Sequence, residues 1–152
     1  MKMNVLVVNG PNLNLLGERE PEIYGRKTLR DLERDVRAHA RKLRMRVQFF
    51  QSNHEGAIVD ELHRLRKWAD AVVINPAAFT HYSYSIRDAL LGIALPAVEV
   101  HLSDVHNREG DFRKISVVRD VCAHTFAGFG FESYTKALDA LAADRAALKK
   151  GR

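Results

Sequence analysis

A chain of 152 residues with 46% hydrophobic and 28% charged content can bury one sizeable core and reads as a single globular domain spanning 1–152. It has no apolar stretch of bilayer-spanning length, and its N-terminal apolar run is too short, and turns polar too soon, for a secretion signal. The net charge of +5 raises nucleic acid as a partner, whereas the single Cys122, set in an apolar stretch, excludes an internal disulfide and reads as a small core residue suited to a reducing cytoplasm.

The first predicted element is a strand over about 5–8, Val5-Leu6-Val7-Val8, which breaks into a polar loop from Asn9 to Gly25. Gly10, Gly17, Gly25, Pro11 and Pro21 exclude a long helix there, and Leu13, Leu15 and Leu16 supply apolar anchors between the polar groups. A helix over about 28–43 follows, opened by Thr28 with Asp31 three residues on, a loose capping box. Leu29, Leu32, Val36, Ala40 and Leu43 form its core stripe, and Arg30, Arg34, Arg37, Arg41 and Arg44 a basic one. Asp31, Glu33 and Asp35 interleave with those arginines, and no nucleic-acid motif accompanies them. The stripe therefore reads as a solvated, salt-bridged face, and no DNA or RNA binding is expected at physiological salt.

A second strand over 46–51 turns through Ser52-Asn53-His54-Glu55-Gly56 into a helix with Ile58, Leu62 and Leu65 on its core face. Ala71-Val72-Val73-Ile74 is continuously apolar, as a central parallel strand should be, and ends at Asn75-Pro76. A helix over about 84–93, a strand over 97–100 and a fifth strand over 121–126 follow. Gly128-Phe129-Gly130 then turns into a final helix through Tyr134, Leu138 and Leu141, and residues 149–152 read as frayed.

Five strands alternating with helices imply a parallel sheet covered on both faces, with ligands bound beyond the carboxyl ends of the strands. Asn12, Arg19 and Tyr24 follow the first strand, Ser52 to Glu55 the second, Asn75 and His81 the third. Glu99 lies within the fourth, with His101, Ser103, Arg108 and Arg113 after it. No metal-ligand pair of usual spacing, nucleophile elbow or phosphate loop is present, and what remains is acid–base chemistry on a polar small molecule. An arginine beside a tyrosine favours the phenolate, so Arg19 and Tyr24 form a candidate base, although two solvated side chains would look the same. Glu99 and His101, two apart on a strand, leave on one face, either as a carboxylate-supported acid or as a structural pair.

The run Asn9-Gly10-Pro11-Asn12-Leu13-Asn14-Leu15-Leu16-Gly17, with Arg19-Glu20-Pro21 and Tyr24-Gly25, resembles the type II 3-dehydroquinate dehydratases. The resemblance continues through Gln51-Ser52-Asn53-His54-Glu55-Gly56, Asn75-Pro76-Ala77-Ala78-Phe79-Thr80-His81, Ile86-Arg87-Asp88-Ala89-Leu90 and Pro96-Ala97-Val98-Glu99-Val100-His101-Leu102-Ser103. It implies a flavodoxin-like three-layer α/β sandwich around a five-stranded parallel sheet, no metal and no organic cofactor. The implied reaction removes water from 3-dehydroquinate to give 3-dehydroshikimate by anti elimination through an enolate.

By the same resemblance Tyr24 is the base, Arg19 keeps it partly ionised, and Asn12 stabilises the enolate oxygen through a water. His101 is the acid, oriented and charged by Glu99. The backbone amides of Leu102 and Ser103 hold the substrate carboxylate, and Asn75, His81 and Arg113 bind its ring hydroxyls. Asp88 reaches a neighbouring subunit's site in a dodecamer built from trimers, and the segment 17–25 is a lid. Two departures stand out. Gly110-Asp111 makes the loop before Phe112-Arg113 one residue longer than usual, leaving Arg108 as the alternative to Arg113, and Asp104 replaces a common asparagine. The competing readings are a flavodoxin-like binding module or an inactive relative, against which Tyr24, Arg19 and His101 are all present.

Overall fold

The computed structural model describes residues 1–151; the side chains of Tyr24 and His106 lie outside the described set. Five strands, β1 (Met3–Asn9), β2 (Met45–Gln51), β3 (Ala71–Asn75), β4 (Ala97–His101) and β5 (His124–Ala127), form one parallel sheet in the order β2-β1-β3-β4-β5. The helices are a short α1 (Pro21–Tyr24), then α2 (Leu29–Lys42), α3 (Glu55–Leu65), α4 (Tyr84–Ile93) and α5 (Glu132–Lys150). None among the described residues is long and apolar enough to cross a membrane.

Strand alternation sorts the core into two layers. Val5 and Val7 of β1, with Val73, Val98 and Val100, pack against Leu32 and Val36 of α2 and Tyr134, Leu138 and Leu141 of α5. Leu6 and Val8, with Val72 and Ile74, face Ile58 and Leu62 of α3 and Ile86 and Leu90 of α4. Helices therefore cover both faces, which is why β1 and β3 are apolar at successive positions rather than alternate ones. The capping box of α2 is complete, because Thr28 Oγ1 accepts from the Asp31 amide at 3.2 Å and Asp31 Oδ2 accepts from the Thr28 amide at 2.9 Å. Its arginine stripe is exposed, with Arg34 paired to Asp31 and Asp35.

Four expectations need correction. β5 is shorter than 121–126 and displaced: the amides of Val121 and Cys122 bond back to Val118 and Arg119 in a 3-10 turn, and the chain joins β4 only from the Ala123 amide, which donates to the Ala97 carbonyl at 2.8 Å, with the paired register starting at His124. Cys122 is half-buried against the α3–α4 layer rather than part of its centre, and burial still pushes its thiol up to about 12. Leu15 is 39% exposed, whereas Leu13 and Leu16 are buried, because the 3-10 turn over Leu13–Leu15 can face only part of itself to the core. Residues 149 and 150 are helical, the last turns of α5 being tied down by Asp144 to His124 (2.8 Å) and by Arg145 Nη2 to the Met1 carbonyl (2.8 Å).

The chain reverses direction across the sheet between β1 and β3, where neighbouring loops diverge and leave a crevice. The Gly10 amide donates to the Asn75 carbonyl at 2.8 Å, and a Cβ placed on Gly10 would meet the Pro76 carbonyl carbon at 2.7 Å. Only glycine allows this approach. Gly10→Ala is therefore expected to cost about 1–3 kcal/mol in urea denaturation by forcing the two loops apart; wild-type stability would show that the loops do not meet there.

Candidate active site

A cavity of about 100 Å³ opens over the carboxyl ends of β1, β3 and β4. From the loop after β1 come Asn12 and Arg19; after β3 come Asn75 and His81; at and after the end of β4 come His101, Leu102, Ser103, Arg108 and Arg113. Glu99 stands behind His101, fully buried. Asp88 is exposed on α4 and does not line this cavity. The side chain of Tyr24 lies outside the described residues; its backbone ends α1, five residues beyond Arg19.

Each loop is held by its neighbours. Asn12 sits at φ +68°, a left-handed conformation that asparagine tolerates better than most residues. Its amide donates to Asn53 Oδ1 at 2.9 Å, and that oxygen also accepts from Gln51 Nε2 at 3.1 Å. The polar motif after β2 thus braces the loop after β1 without lining the cavity. Ser52 serves the backbone, its hydroxyl accepting from the His54 amide at 3.0 Å.

Asn75 is oriented by a directional relay. Its Oδ1 accepts from the Ala77 amide at 3.1 Å, which turns Nδ2 toward the Tyr134 hydroxyl at 3.0 Å. The hydroxyl, having accepted, donates onward to Asn9 Oδ1 at 2.6 Å. Burial pushes the Tyr134 phenol well above its ordinary value, so it stays protonated and can complete the chain.

His81 Nδ1 lies 2.7 Å from the Ile115 carbonyl. A carbonyl only accepts, so Nδ1 carries the proton and Nε2 of the neutral ring is an acceptor. Burial lowers the His81 pKa despite that bond, and the nearby His101 and Arg113 lower it further, so the ring is neutral at pH 7. His101 Nε2 lies 2.6 Å from Glu99 Oε2, and both side chains are buried. Burial alone would raise the Glu99 pKa; its hydrogen bond and charge interaction with His101, then the Ser116 hydroxyl, more than offset this and hold it below the ordinary carboxylate value. With Nε2 engaged by the carboxylate, Nδ1 is the ring nitrogen not used by Glu99.

Three guanidiniums line the cavity, and one carboxylate links two of them: Glu20 lies 3.2 Å from Arg19 and 3.5 Å from Arg108. The longer loop still delivers Arg113, which donates to the Glu109 carbonyl at 3.0 Å, so Arg108 and Arg113 both reach the cavity. Asp104 accepts from Asn107 Nδ2 at 2.7 Å and is not part of the lining. Sequence reasoning singled out Asn53 without giving it a role, and missed Glu20, Ser116 and Tyr134 as supports.

The strand order and the acid–base groups at the β1–β3 crevice define a flavodoxin-like α/β protein with the cavity at its topological switch point. The model of the family described as Dehydroquinase class II matches residues 3–142. A "3-dehydroquinate dehydratase" of Bacillus mycoides is 52% identical over 137 residues, covering 90% of this chain and 93% of that protein. One from Bacillus pumilus is 51% identical over 143 residues, covering 94% and 97%. The crystal structure of a type II dehydroquinase from Butyrivibrio crossotus superimposes with a TM-score of 0.89 at 44% identity, covering 92% of this chain and 97% of that one. The chain belongs to the class II dehydroquinase family of enzymes.

Proposed function

We propose that this chain removes water from 3-dehydroquinate by anti elimination, with Tyr24 as base and His101 as acid. The observation that carries the reading is the buried Glu99–His101 pair opening onto a cavity lined by three arginines. The substrate offers a carboxylate, a ketone and three hydroxyls, and the cavity supplies cationic, amide and imidazole partners for each.

The Tyr24 phenolate takes the proton from the carbon between the ketone and the carbon bearing the departing hydroxyl. The electron pair moves onto the ketone oxygen, and Asn12, through a water, stabilises the enolate. The enolate then collapses to the conjugated ketone, the C–O bond breaks, and His101 gives its proton to the leaving oxygen, which departs as water. Glu99 stabilises the imidazolium before that transfer. Base and acid come from different segments, Tyr24 from the end of α1 and His101 from the end of β4, and an elimination from opposite faces needs them apart. The backbone amides of Leu102 and Ser103 hold the carboxylate, the neutral His81 accepts a ring hydroxyl, and Asn75 donates to one. Arg113 and Arg108 share the cationic wall.

The reading treats the chain as one catalytic domain in the cytoplasm, working without metal or organic cofactor, with residues 17–25 closing as a lid that excludes water. Asp88, exposed on α4, suits a residue that serves a neighbouring copy in a trimer-based dodecamer. Purified protein, sized by sedimentation and held with a chelator, is expected to be dodecameric and to convert 3-dehydroquinate to an ultraviolet-absorbing conjugated product. A folded protein that yields no product would favour a binding module instead.

A further inference from the structure

Among the described residues, each oxygen of the Glu99 carboxylate meets one hydrogen-bond partner. Oε2 faces His101 Nε2 at 2.6 Å, and Oε1 accepts from the Ser116 hydroxyl at 2.7 Å. The direction of the second bond is fixed, because the Arg119 amide already donates to Ser116 Oγ at 3.2 Å and leaves the hydroxyl's one proton for Glu99. We propose that Ser116 is a positioning residue that stabilises the Glu99 carboxylate left behind when His101 gives up its proton, and so sets how readily the pair acts as an acid.

The proposal rests on the dehydratase reading of the site, in which His101 is the proton donor. Before transfer, the imidazolium and the carboxylate compensate one another. After transfer, a lone carboxylate remains at a position with no solvent exposure, where an uncompensated charge is costly. Among the described residues, the charged and titratable groups around the pair are His81 from the turn after β3, Arg119 and Cys122 from the segment after β4, and Arg19, Arg108 and Arg113, which line the cavity onto which His101 opens. His81 is held neutral by burial, and the Cys122 thiol, pushed up to about 12, also stays neutral. Arg119 contributes a favourable charge from an exposed position that solvent screens. Ser116 is the donor in direct contact with the second oxygen.

The backbone places this hydroxyl. The preceding Ile115 carbonyl accepts from His81, and the following Val117 donates to the Thr80 carbonyl at 2.9 Å while accepting from Arg87 at 3.0 Å. Removing the hydroxyl leaves these backbone bonds in place but also takes the acceptor from the Arg119 amide, a loss that Ser116→Thr does not share. Without the hydroxyl, the charge remaining after transfer is less favourable, so the imidazolium holds its proton more tightly.

Ser116→Ala is expected to raise the titration midpoint of the His101 imidazole, followed by NMR in the unliganded protein, by about one pH unit. The alkaline limb of kcat should move up with it, kcat should fall about tenfold or more, and KM should stay within about twofold. Ser116→Thr, which keeps the hydroxyl, should restore both midpoints. An unmoved midpoint in a folded Ala variant, or a Thr variant that behaves like Ala, would overturn the assignment. Because the titration needs no substrate, the two readings separate: an inactive wild type whose midpoint still rises in the Ala variant sinks the dehydratase reading and supports Ser116.

Discussion

His101→Ala is expected to lower kcat for 3-dehydroquinate by about 10²–10⁴-fold, the usual contribution of a positioned proton donor, and to weaken the fold in a pH-dependent way. The two effects share one cause. His101 is 3% exposed, Glu99 fully buried, and their nitrogen and oxygen are 2.6 Å apart. Removing the imidazole takes away the proposed acid and leaves a buried carboxylate held by Ser116, and breaking such a pair costs about 3–5 kcal/mol. In the wild type the Glu99 pKa is depressed, so its contribution is fully present above the ordinary value of 4.5 and is lost as pH falls through the folded value. In the variant, burial dominates and the folded pKa rises above the unfolded one, so stability falls as pH rises. Urea denaturation should therefore show a larger gap between wild type and variant at pH 7 than at pH 4. Glu99→Gln placed on top of His101→Ala should recover much of the loss at pH 7. A gap independent of pH would assign the damage to the cavity left by the ring, and undiminished turnover would remove His101 as the acid.

What the sequence reveals here depends on how far apart the interacting residues stand. Val5 to Val8 and Ala71 to Ile74 announce buried parallel strands because both faces are covered, and the Leu32–Val36–Ala40 stripe announces its helix by period alone. Glu99 and His101 are legible for the same reason, since strand alternation alone puts them on one face. Loop residues such as Asn12, Arg19 and Asn75 are legible as site candidates through the rule that ligands bind beyond the strand ends. The supports behind them are not. Ser116 meets Glu99 across 17 residues, Tyr134 meets Asn75 across 59 and Arg108 meets Glu20 across 88, with no period connecting them. β5 is misjudged because Val121 and Cys122 have strand-like side chains but spend their amides on a local turn, a choice made by hydrogen bonding and not by hydrophobicity.

Tyr24→Phe is expected to reduce kcat by about 10²–10⁴-fold with little change in KM, because it removes the proposed base while keeping the ring and the binding groups. The proposed supporting charge is that of Arg19, which lines the cavity beside Glu20. Positive charge favours the phenolate over the phenol. Arg19→Met should accordingly move the acidic limb of kcat/KM upward, to the pH at which an unassisted tyrosine ionises, whereas Tyr24→Phe should abolish that limb. The assignment can be separated from that of His101 by isotope exchange. In the proposed mechanism proton abstraction precedes loss of the hydroxyl, so an enzyme with its base but no acid can still form the enolate and return it to substrate. In D₂O, His101→Ala is expected to place deuterium at the carbon next to the ketone of recovered 3-dehydroquinate, while Tyr24→Phe is expected to place none there. Exchange that survives in Tyr24→Phe would show that another group takes the proton, and the candidates would be the cavity histidines His81 and His101.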